Sequence, residues 1–206
     1  MRLYIYLFFT VLFLSLTNVS VKAEITINKL IFDDSKAYHL KMLDALPDAG
    51  KIEMGPNDAK HTIIEFFDYF CGYCKKMHPE LINMVQSRGD LKVVFLQHPI
   101  LNESSKVLAK MAIAATMQGK GFEFHHSLFS MEGSITNEKL LDSIKESKLD
   151  NDQLTIDMNS IEVEKILKLS SFLAGGSGAR GTPSIFINEI FSPGYLPPDR
   201  IENMLQ

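Results

Sequence analysis

Apolar and polar positions follow different rhythms along this chain. Residues 3–16 (LYIYLFFTVLFLSL) form a nearly unbroken apolar run behind Met1 and Arg2. Val21 and Ala23 then supply small residues at −3 and −1 for cleavage before Glu24. That is the three-part pattern of a secretory signal peptide over residues 1–23. An uncleaved anchor is the rival, because residues 3–21 carry no charge and approach the ~20 residues a membrane helix needs. No cysteine follows the run as a lipid-attachment site, and no later segment is apolar enough to span a bilayer.

Beyond the leader the pattern is mixed as far as residue 61. Ile25, Ile27 and residues 30–32 suggest an edge strand, and Leu40, Leu43 and Leu46 a weak amphipathic turn closed by Pro47 and Gly50. Residues 62–67 (TIIEFF) then read as a strand buried on both faces, interrupted by the single charge of Glu65. Residues 75–86 read as a helix with Met77, Leu81, Ile82, Met84 and Val85 inward, and residues 91–96 (LKVVFL) as a second buried strand. A long helical stretch follows. Ser104 or Ser105 caps a helix whose inner face is Val107, Leu108, Met111, Ala112 and Ala115. Shorter helices are expected over 122–131 and 136–144, and another over 161–173 with Ile166, Leu169 and Leu173 inward. Residues 184–188 and 190–192 form a hairpin around Asn188-Glu189, and 197–206 a closing helix. Strand, helix, strand predicts a parallel βαβ unit, so the class is α/β. The hairpin extends the sheet antiparallel, and residues 100–172 read as a helical insertion. The expected organisation is a signal peptide (1–23), an N-terminal arm (24–61), a sheet domain (62–99 and 173–206) and the inserted helices (100–172).

Composition narrows the options. The chain has 206 residues, 46% of them hydrophobic and 22% charged, with a formal charge of −4, an ordinary globular make-up. Loss of residues 1–23 removes Arg2 and Lys22 but no acid, which deepens the negative balance. With no Lys/Arg run, this excludes a nucleic-acid partner. Two cysteines, three residues apart, cannot form a disulfide framework.

Those cysteines carry the chemistry. Cys71-Gly72-Tyr73-Cys74 lies between the TIIEFF strand and the helix after it, which places Cys71 at a helix N-terminus. Free N–H groups and the positive end of the helix dipole stabilise a thiolate there, and the thiolate is the nucleophile of disulfide exchange. Cys74 lies one turn below, in reach of a mixed disulfide on Cys71, with Gly72 giving the turn room. A purely structural disulfide would close a very small loop and contribute little. Zinc needs about four ligands, and only His61 and His78 lie near in sequence. Haem attachment needs His after the second cysteine, where Lys75 stands.

Three further signals stand outside the dithiol. Thr182-Pro183 precedes the SIFIN strand. It is either a plain strand boundary or a cis bond that lays an extended edge beside the thiols, able to pair with a substrate strand. Glu65, an acid inside an apolar strand, is either an outward charge at a sheet edge or a buried proton acceptor for Cys74 with its pKa raised by desolvation. His78 is expected on the surface, and His125 and His126 on the surface or in helix packing.

At these residues the chain resembles the DsbA family of thiol–disulfide oxidoreductases. The matching stretches are EFFDYFCGYC at 65–74, QHPILNESSKVLAKMAIAATMQGKGFEFHHSLF at 97–129 and GTPS at 181–184. The resemblance implies a thioredoxin fold with an inserted helical domain. It implies Cys71 as nucleophile, Cys74 as resolving thiol, Glu65 as buried acid and Thr182–Pro183 as the cis-proline loop, with Tyr73 beside the substrate. The Gly-Tyr dipeptide and the Thr before Pro resemble the dimeric DsbC-type isomerases instead. The expected function is therefore an exported oxidase that introduces disulfides into cysteine-containing exported proteins and is recycled by a membrane redox partner. A disulfide isomerase or reductase, oligomeric through residues 24–61, is the alternative. A binding chaperone and a glutathione-dependent transferase-like protein are the other classes. No metal or organic cofactor is implied, and the oligomeric state is left open.

Overall fold

The computed structural model describes residues 37–206. The signal segment and the strand expected within residues 25–32 lie outside them. The chain divides into two units, Met1–Ala45 and Leu46–Gln206. In the first, the described element is helix α1 (Tyr38–Ala45), whose buried side chains are His39 and Met42 rather than the expected Leu40 and Leu43.

The second unit is built on a five-stranded sheet. Its strands are β1 (Ile52–Met54), β2 (His61–Phe67), β3 (Leu91–Gln97), β4 (Ser184–Ile187) and β5 (Ile190–Pro193). Their spatial order is β1-β3-β2-β4-β5. Helix α2 (Gly72–Ser87) connects β2 to β3, which run parallel in register from His61 opposite Leu91 to Phe67 opposite Gln97. The remaining pairs are antiparallel. β1 was not expected. Its three residues are too short to show a period, and the sequence reading left them in the N-terminal arm, yet they pair with Val93–Phe95 at the sheet edge.

β2 holds the centre. Ile63 and Phe67 pack with Val93 and Phe95 of β3 and with Met77 and Leu81 of α2, and burying each such side chain contributes about 1.5–3 kcal/mol. α2 runs through Pro79, which has no N–H to return to the Lys75 carbonyl. Between β3 and β4 lie α3 (Glu103–Met117), α4 (Gly121–Ser130), α5 (Asn137–Glu146), α6 (Asn151–Met158) and α7 (Ile161–Gly176), and α8 (Pro198–Met204) closes the chain. α6 escapes a periodicity reading because only Leu154 on it is buried. On α7 the buried stripe is Val163, Ile166, Leu167, Ser170 and Ala174, rotated from the expected Leu169 and Leu173.

Local side-chain chemistry fixes the ends of these elements. The cap of α3 is Asn102, not Ser104 or Ser105. Its side chain accepts from the Ser105 N–H at 2.9 Å, and Ser105 Oγ accepts in return from the Asn102 N–H at 3.3 Å. Val107, expected inward, is exposed on this helix. The hairpin turns at Asn188, whose φ of 52° is in the left-handed region that Asn tolerates. Asn188 Oδ1 accepts from the Thr62 N–H at 3.0 Å, and the Asn188 N–H donates to the Thr62 carbonyl at 2.8 Å. That pins β4 to the start of β2.

Asp68 organises the other end of β2, where the dithiol begins. It is buried. One carboxylate oxygen accepts from the Phe70 N–H at 2.9 Å and the Ser105 hydroxyl at 2.8 Å. The other accepts from the Ile100 and Leu101 N–H groups at 2.9 and 3.0 Å. Its carbonyl accepts from the Cys71 N–H at 3.0 Å. One side chain thus ties together the loop before α2, the loop after β3 and the start of α3. Hydrogen bonds to a charged group contribute about 1.5–3 kcal/mol each, less where water can substitute. Asp68→Ala should therefore cost about 3 kcal/mol, read as a lower urea midpoint at unchanged slope. Asp68→Asn, which keeps one acceptor oxygen, should cost less. A loss below about 1 kcal/mol for the alanine variant would remove Asp68 from this role.

Candidate active site

The strand-to-helix junction delivers Cys71 to the N-cap of α2, with extended backbone at φ −81°, ψ 114°. Its sulfur accepts from the Cys74 N–H at 3.4 Å, one of the free donors of the first helical turn. Across the site the Cys71 thiol donates to the Thr182 carbonyl at 3.1 Å. The Thr182–Pro183 bond is cis. The Pro183 carbonyl accepts from the Gly194 N–H at 2.8 Å, which ties this loop to the end of β5. The thiol pKa of Cys71 is lowered to about 5, chiefly by the Cys74 side chain, against partial burial, and further by Thr182 and by the backbone N–H groups of Cys74 and Tyr73. Both cysteines are free thiols.

Cys74 has the opposite environment. It is fully buried, and burial drives its pKa far up, reinforced by Cys71 and by Glu65. Glu65 is not an edge charge. It sits on the central strand between Phe95 and Ile185 and is 1% exposed. Neither carboxylate oxygen has a partner in good hydrogen-bond geometry, although the Cys74 thiol lies close enough to favour the ionised form. Burial raises its pKa to about 8, opposed by the Cys74 thiol and assisted by the nearby Cys71. Cys71, Cys74, Glu65 and Thr182–Pro183 therefore converge.

Tyr73 points outward, 63% exposed, its ring 5.9 Å from that of Tyr195. Tyr195 is braced by donating to Glu80 at 2.9 Å and by the Lys76 ammonium 4.2 Å over its ring. Gly72 corrects one expectation. A Cβ there would meet nothing within 4 Å, so the turn does not need glycine for room.

His78 corrects another. It is buried rather than on the surface, because its position four residues after Cys74 turns it toward the sheet. It stacks on Phe129 at 5.0 Å and shares a 3.0 Å hydrogen bond with His126. Burial, with His126 beside it, lowers its pKa to about 3, and a neutral imidazole is tolerable in such a place. His125 is fully buried against Phe67 and Phe95, and its Nδ1 shares a 3.1 Å hydrogen bond with the Tyr69 hydroxyl. His126 is exposed. Asp68 was missed as a site-building residue, although an acid ending an apolar strand three residues before the dithiol was a usable signal. Among the described residues no three His, Cys, Asp or Glu side chains gather as metal ligands. No helix among them is long and apolar enough to cross a membrane.

Chemically, the arrangement holds one sulfur ready to ionise in reach of solvent, a second held as a thiol one turn below, and a protonatable acid beside the second. The comparisons with known proteins bear on the fold and the family. The family model described as thioredoxin matches residues 48–206. A solved thioredoxin-like oxidoreductase from Silicibacter pomeroyi is similar at a TM-score of 0.71 and 32% identity, over 76% of this chain and 90% of that one. A probable disulfide bond formation protein D of Bacillus anthracis is 26% identical over 148 residues, 66% of this chain and 68% of the relative. The Na(+)/H(+) antiporter NhaA of Herminiimonas arsenicoxydans is 26% identical over 133 residues, and there the match spans only 21% of the relative's length. The five-stranded sheet with its helical insertion is the thioredoxin-like fold that the sequence led us to expect.

The two raised and lowered groups have opposite effects on stability. Glu65 is raised in the folded state, so between about pH 4.5 and 8 the folded protein holds a proton the unfolded chain has lost, and stability falls as pH rises. Cys71 is lowered, so between about pH 5 and 9 the unfolded chain holds the extra proton, and stability rises with pH. In the reduced protein the two slopes oppose each other. Reduced Glu65→Gln should gain stability steadily from pH 5 to 8, by up to about 1.4 kcal/mol per pH unit. Cys71→Ser should lose stability over the same window. Denaturant midpoints across pH measure both, and a flat profile in either variant would contradict the assignment.

Proposed function

The chain belongs to the thioredoxin family, and from that premise we propose that it is an exported thiol–disulfide oxidoreductase that introduces disulfides into other proteins. The observation that carries this reading is the asymmetry of the two sulfurs: Cys71 favours the thiolate and Cys74 the thiol. A dithiol whose reduced form is stabilised in this way makes its disulfide a good oxidant.

In the proposed reaction the oxidised protein carries a Cys71–Cys74 disulfide. A substrate thiolate attacks Cys71 Sγ, a substrate–Cys71 bond forms, and Cys74 leaves with the electron pair. Glu65, protonated near neutral pH, gives Cys74 its proton as that sulfur leaves, and the negative charge passes to the Glu65 carboxylate. A second substrate thiolate then attacks the substrate sulfur of the mixed disulfide. The substrate disulfide closes, and Cys71 leaves as the thiolate that the start of α2 stabilises. In the reverse direction Glu65 accepts the Cys74 proton and frees that sulfur to resolve the mixed disulfide. The Thr182–Pro183 loop offers backbone for an extended substrate segment to pair with, and the exposed Phe70, Tyr73, Ile100 and Leu101 offer it apolar contact. Residues 1–23 would direct export, and a membrane redox partner would restore the disulfide.

The Gly-Tyr dipeptide and Thr182 support a second reading, isomerisation, which needs a reduced Cys71 and a surface that holds misfolded chains. Two assays separate the readings. Cys74→Ala should accumulate mixed disulfides that vanish with reductant, since its Cys71 adduct awaits an outside thiol, whereas Cys71→Ala should accumulate none. The oxidised wild type should form disulfides in a reduced multi-cysteine substrate and leave a scrambled one inactive. Rescue of the scrambled substrate by catalytic amounts of reduced protein would replace oxidase with isomerase. Silence in both assays with intact thiols would favour a binding chaperone.

A further inference from the structure

Tyr195 lies beside the dithiol and takes no part in the proposed reaction. Strands β4 and β5 pair in one register, from Ile187 opposite Ile190 to Ser184 opposite Pro193. The Gly194 N–H, donating to the Pro183 carbonyl at 2.8 Å, carries that pairing one residue past the strands. The chain turns there, at a φ of 83° that glycine adopts freely, and the next residue is Tyr195. Its side chain reaches α2 and meets three residues. The ring is 5.9 Å from that of Tyr73 with 31° between the planes, the Lys76 ammonium stands 4.2 Å over it, and the hydroxyl donates to Glu80 at 2.9 Å. Tyr73, Lys76 and Glu80 share one stripe of α2, by their spacing in sequence. Tyr195 thus joins the two segments that face each other across Cys71 Sγ. Through Gly194 it is tied to the Thr182–Pro183 loop, and through Tyr73 to the turn between the cysteines. Packing for stability would account for Tyr195, which rests against the core. It does not account for Tyr73, which stays 63% exposed although its ring is paired.

We propose that Tyr195 is a positioning residue that holds Tyr73 as a fixed aromatic wall beside Cys71, and that this wall selects polypeptide substrates with an aromatic side chain next to the reacting cysteine. The proposal rests on the oxidoreductase reading and adds a sequence preference to it. A loose surface ring must be ordered before a substrate ring can pack against it. One already held by Tyr195 need not be, so less is lost on binding. Offset and edge-on contacts with a third ring extend the pair. The same geometry disfavours a basic neighbour. An exposed tyrosine face ordinarily attracts a cation, but here Lys76 already supplies one, and a substrate Arg or Lys would be repelled by it.

The test is the rate at which the oxidised full chain is reduced by three capped peptides, each with one cysteine flanked on both sides by Phe, Gly or Arg. Two peptide thiols are consumed per turnover, giving one peptide disulfide and the reduced Cys71–Cys74 pair. Each rate is divided by that of the same peptide with glutathione disulfide, which removes differences in intrinsic thiol reactivity. The Phe peptide should react about three- to tenfold faster than the Gly peptide, and the Arg peptide no faster than the Gly peptide. In Tyr195→Ala the Phe-to-Gly ratio should fall to about one, whereas Tyr195→Phe, which keeps the ring, should retain it. Tyr73→Ala should also lose the ratio, and adding Tyr195→Ala should change it no further. A merely structural role would slow all three peptides alike and leave the ratio unmoved. A second readout needs no change at Tyr195: in the mixed disulfide of the Phe peptide with Cys71 of the Cys74→Ala protein, the peptide ring should show nuclear Overhauser contacts to Tyr73. A wild-type ratio near one, a ratio retained in Tyr195→Ala, a ratio lost in Tyr195→Phe, a preference for the Arg peptide, or absence of those contacts would overturn the proposal. Equal but fast exchange with all three peptides would overturn this proposal alone, whereas exchange no faster than with glutathione disulfide would overturn the oxidoreductase reading with it.

Discussion

The first turn of α2 points its free N–H groups at a single sulfur, and the rest of the site is arranged around that contact. The Cys74 N–H faces Cys71 Sγ because β2 ends where α2 begins, so the N-cap position falls on Cys71. Helix N-termini attract negative charge through unsatisfied donors and the summed dipole. Cys71 receives both, while Cys74, one turn further in, faces the sheet and Glu65. The Cys74 thiol and the helix start together favour the thiolate at Cys71, burial keeps Cys74 a thiol, and the Thr182 carbonyl lies against Cys71 Sγ.

Holding that helix start in place requires polar groups where an apolar core would be more stable by itself. Asp68 is fully used, with every acceptor position engaged around the dithiol loop. Glu65 is the reverse case, buried with no partner in good hydrogen-bond geometry. A satisfied buried acid stabilises and an unsatisfied one costs. The contrast between these two acids, three residues apart, separates a fully hydrogen-bonded anchor from the acid that the proposed mechanism uses for proton transfer. The imidazoles of His78 and His125 fall between the two, each with one ring nitrogen hydrogen-bonded and the other without a partner. Held neutral among Phe67, Phe95 and Phe129, they fill core volume and carry hydrogen bonds to His126 and Tyr69.

Much of this was legible in the residues. TIIEFF and LKVVFL were readable as central strands because double-sided burial erases alternation and leaves near-continuous apolar runs. The CGYC spacing after a strand located the helix N-cap, and with GTPS it located the facing loop. β1 and α6 were not legible. The first is three residues long, and the second buries one side chain. His78 was misjudged because a histidine's polarity suggests surface, whereas its placement one turn from Cys74 dictates burial. Gly72 was credited with relieving a crowding that does not exist. Asp68 is half legible: an acid at a strand end before the dithiol is visible in the sequence, but its partners come from segments up to 37 residues away in the chain.

The central claim is that the environment of Cys71 stabilises its thiolate and with it the reduced dithiol. The reduction potential of the Cys71–Cys74 pair, measured by equilibration with glutathione at pH 7, tests it most directly. Cys71, with its pKa lowered to about 5 against about 7 in thioredoxin, favours the reduced form more strongly than thioredoxin's nucleophile does. The account predicts a potential above thioredoxin's ~−270 mV. A potential at or below thioredoxin's would contradict it, since the Cys74 thiol and the helix start would then give Cys71 no more thiolate character than a reductant needs.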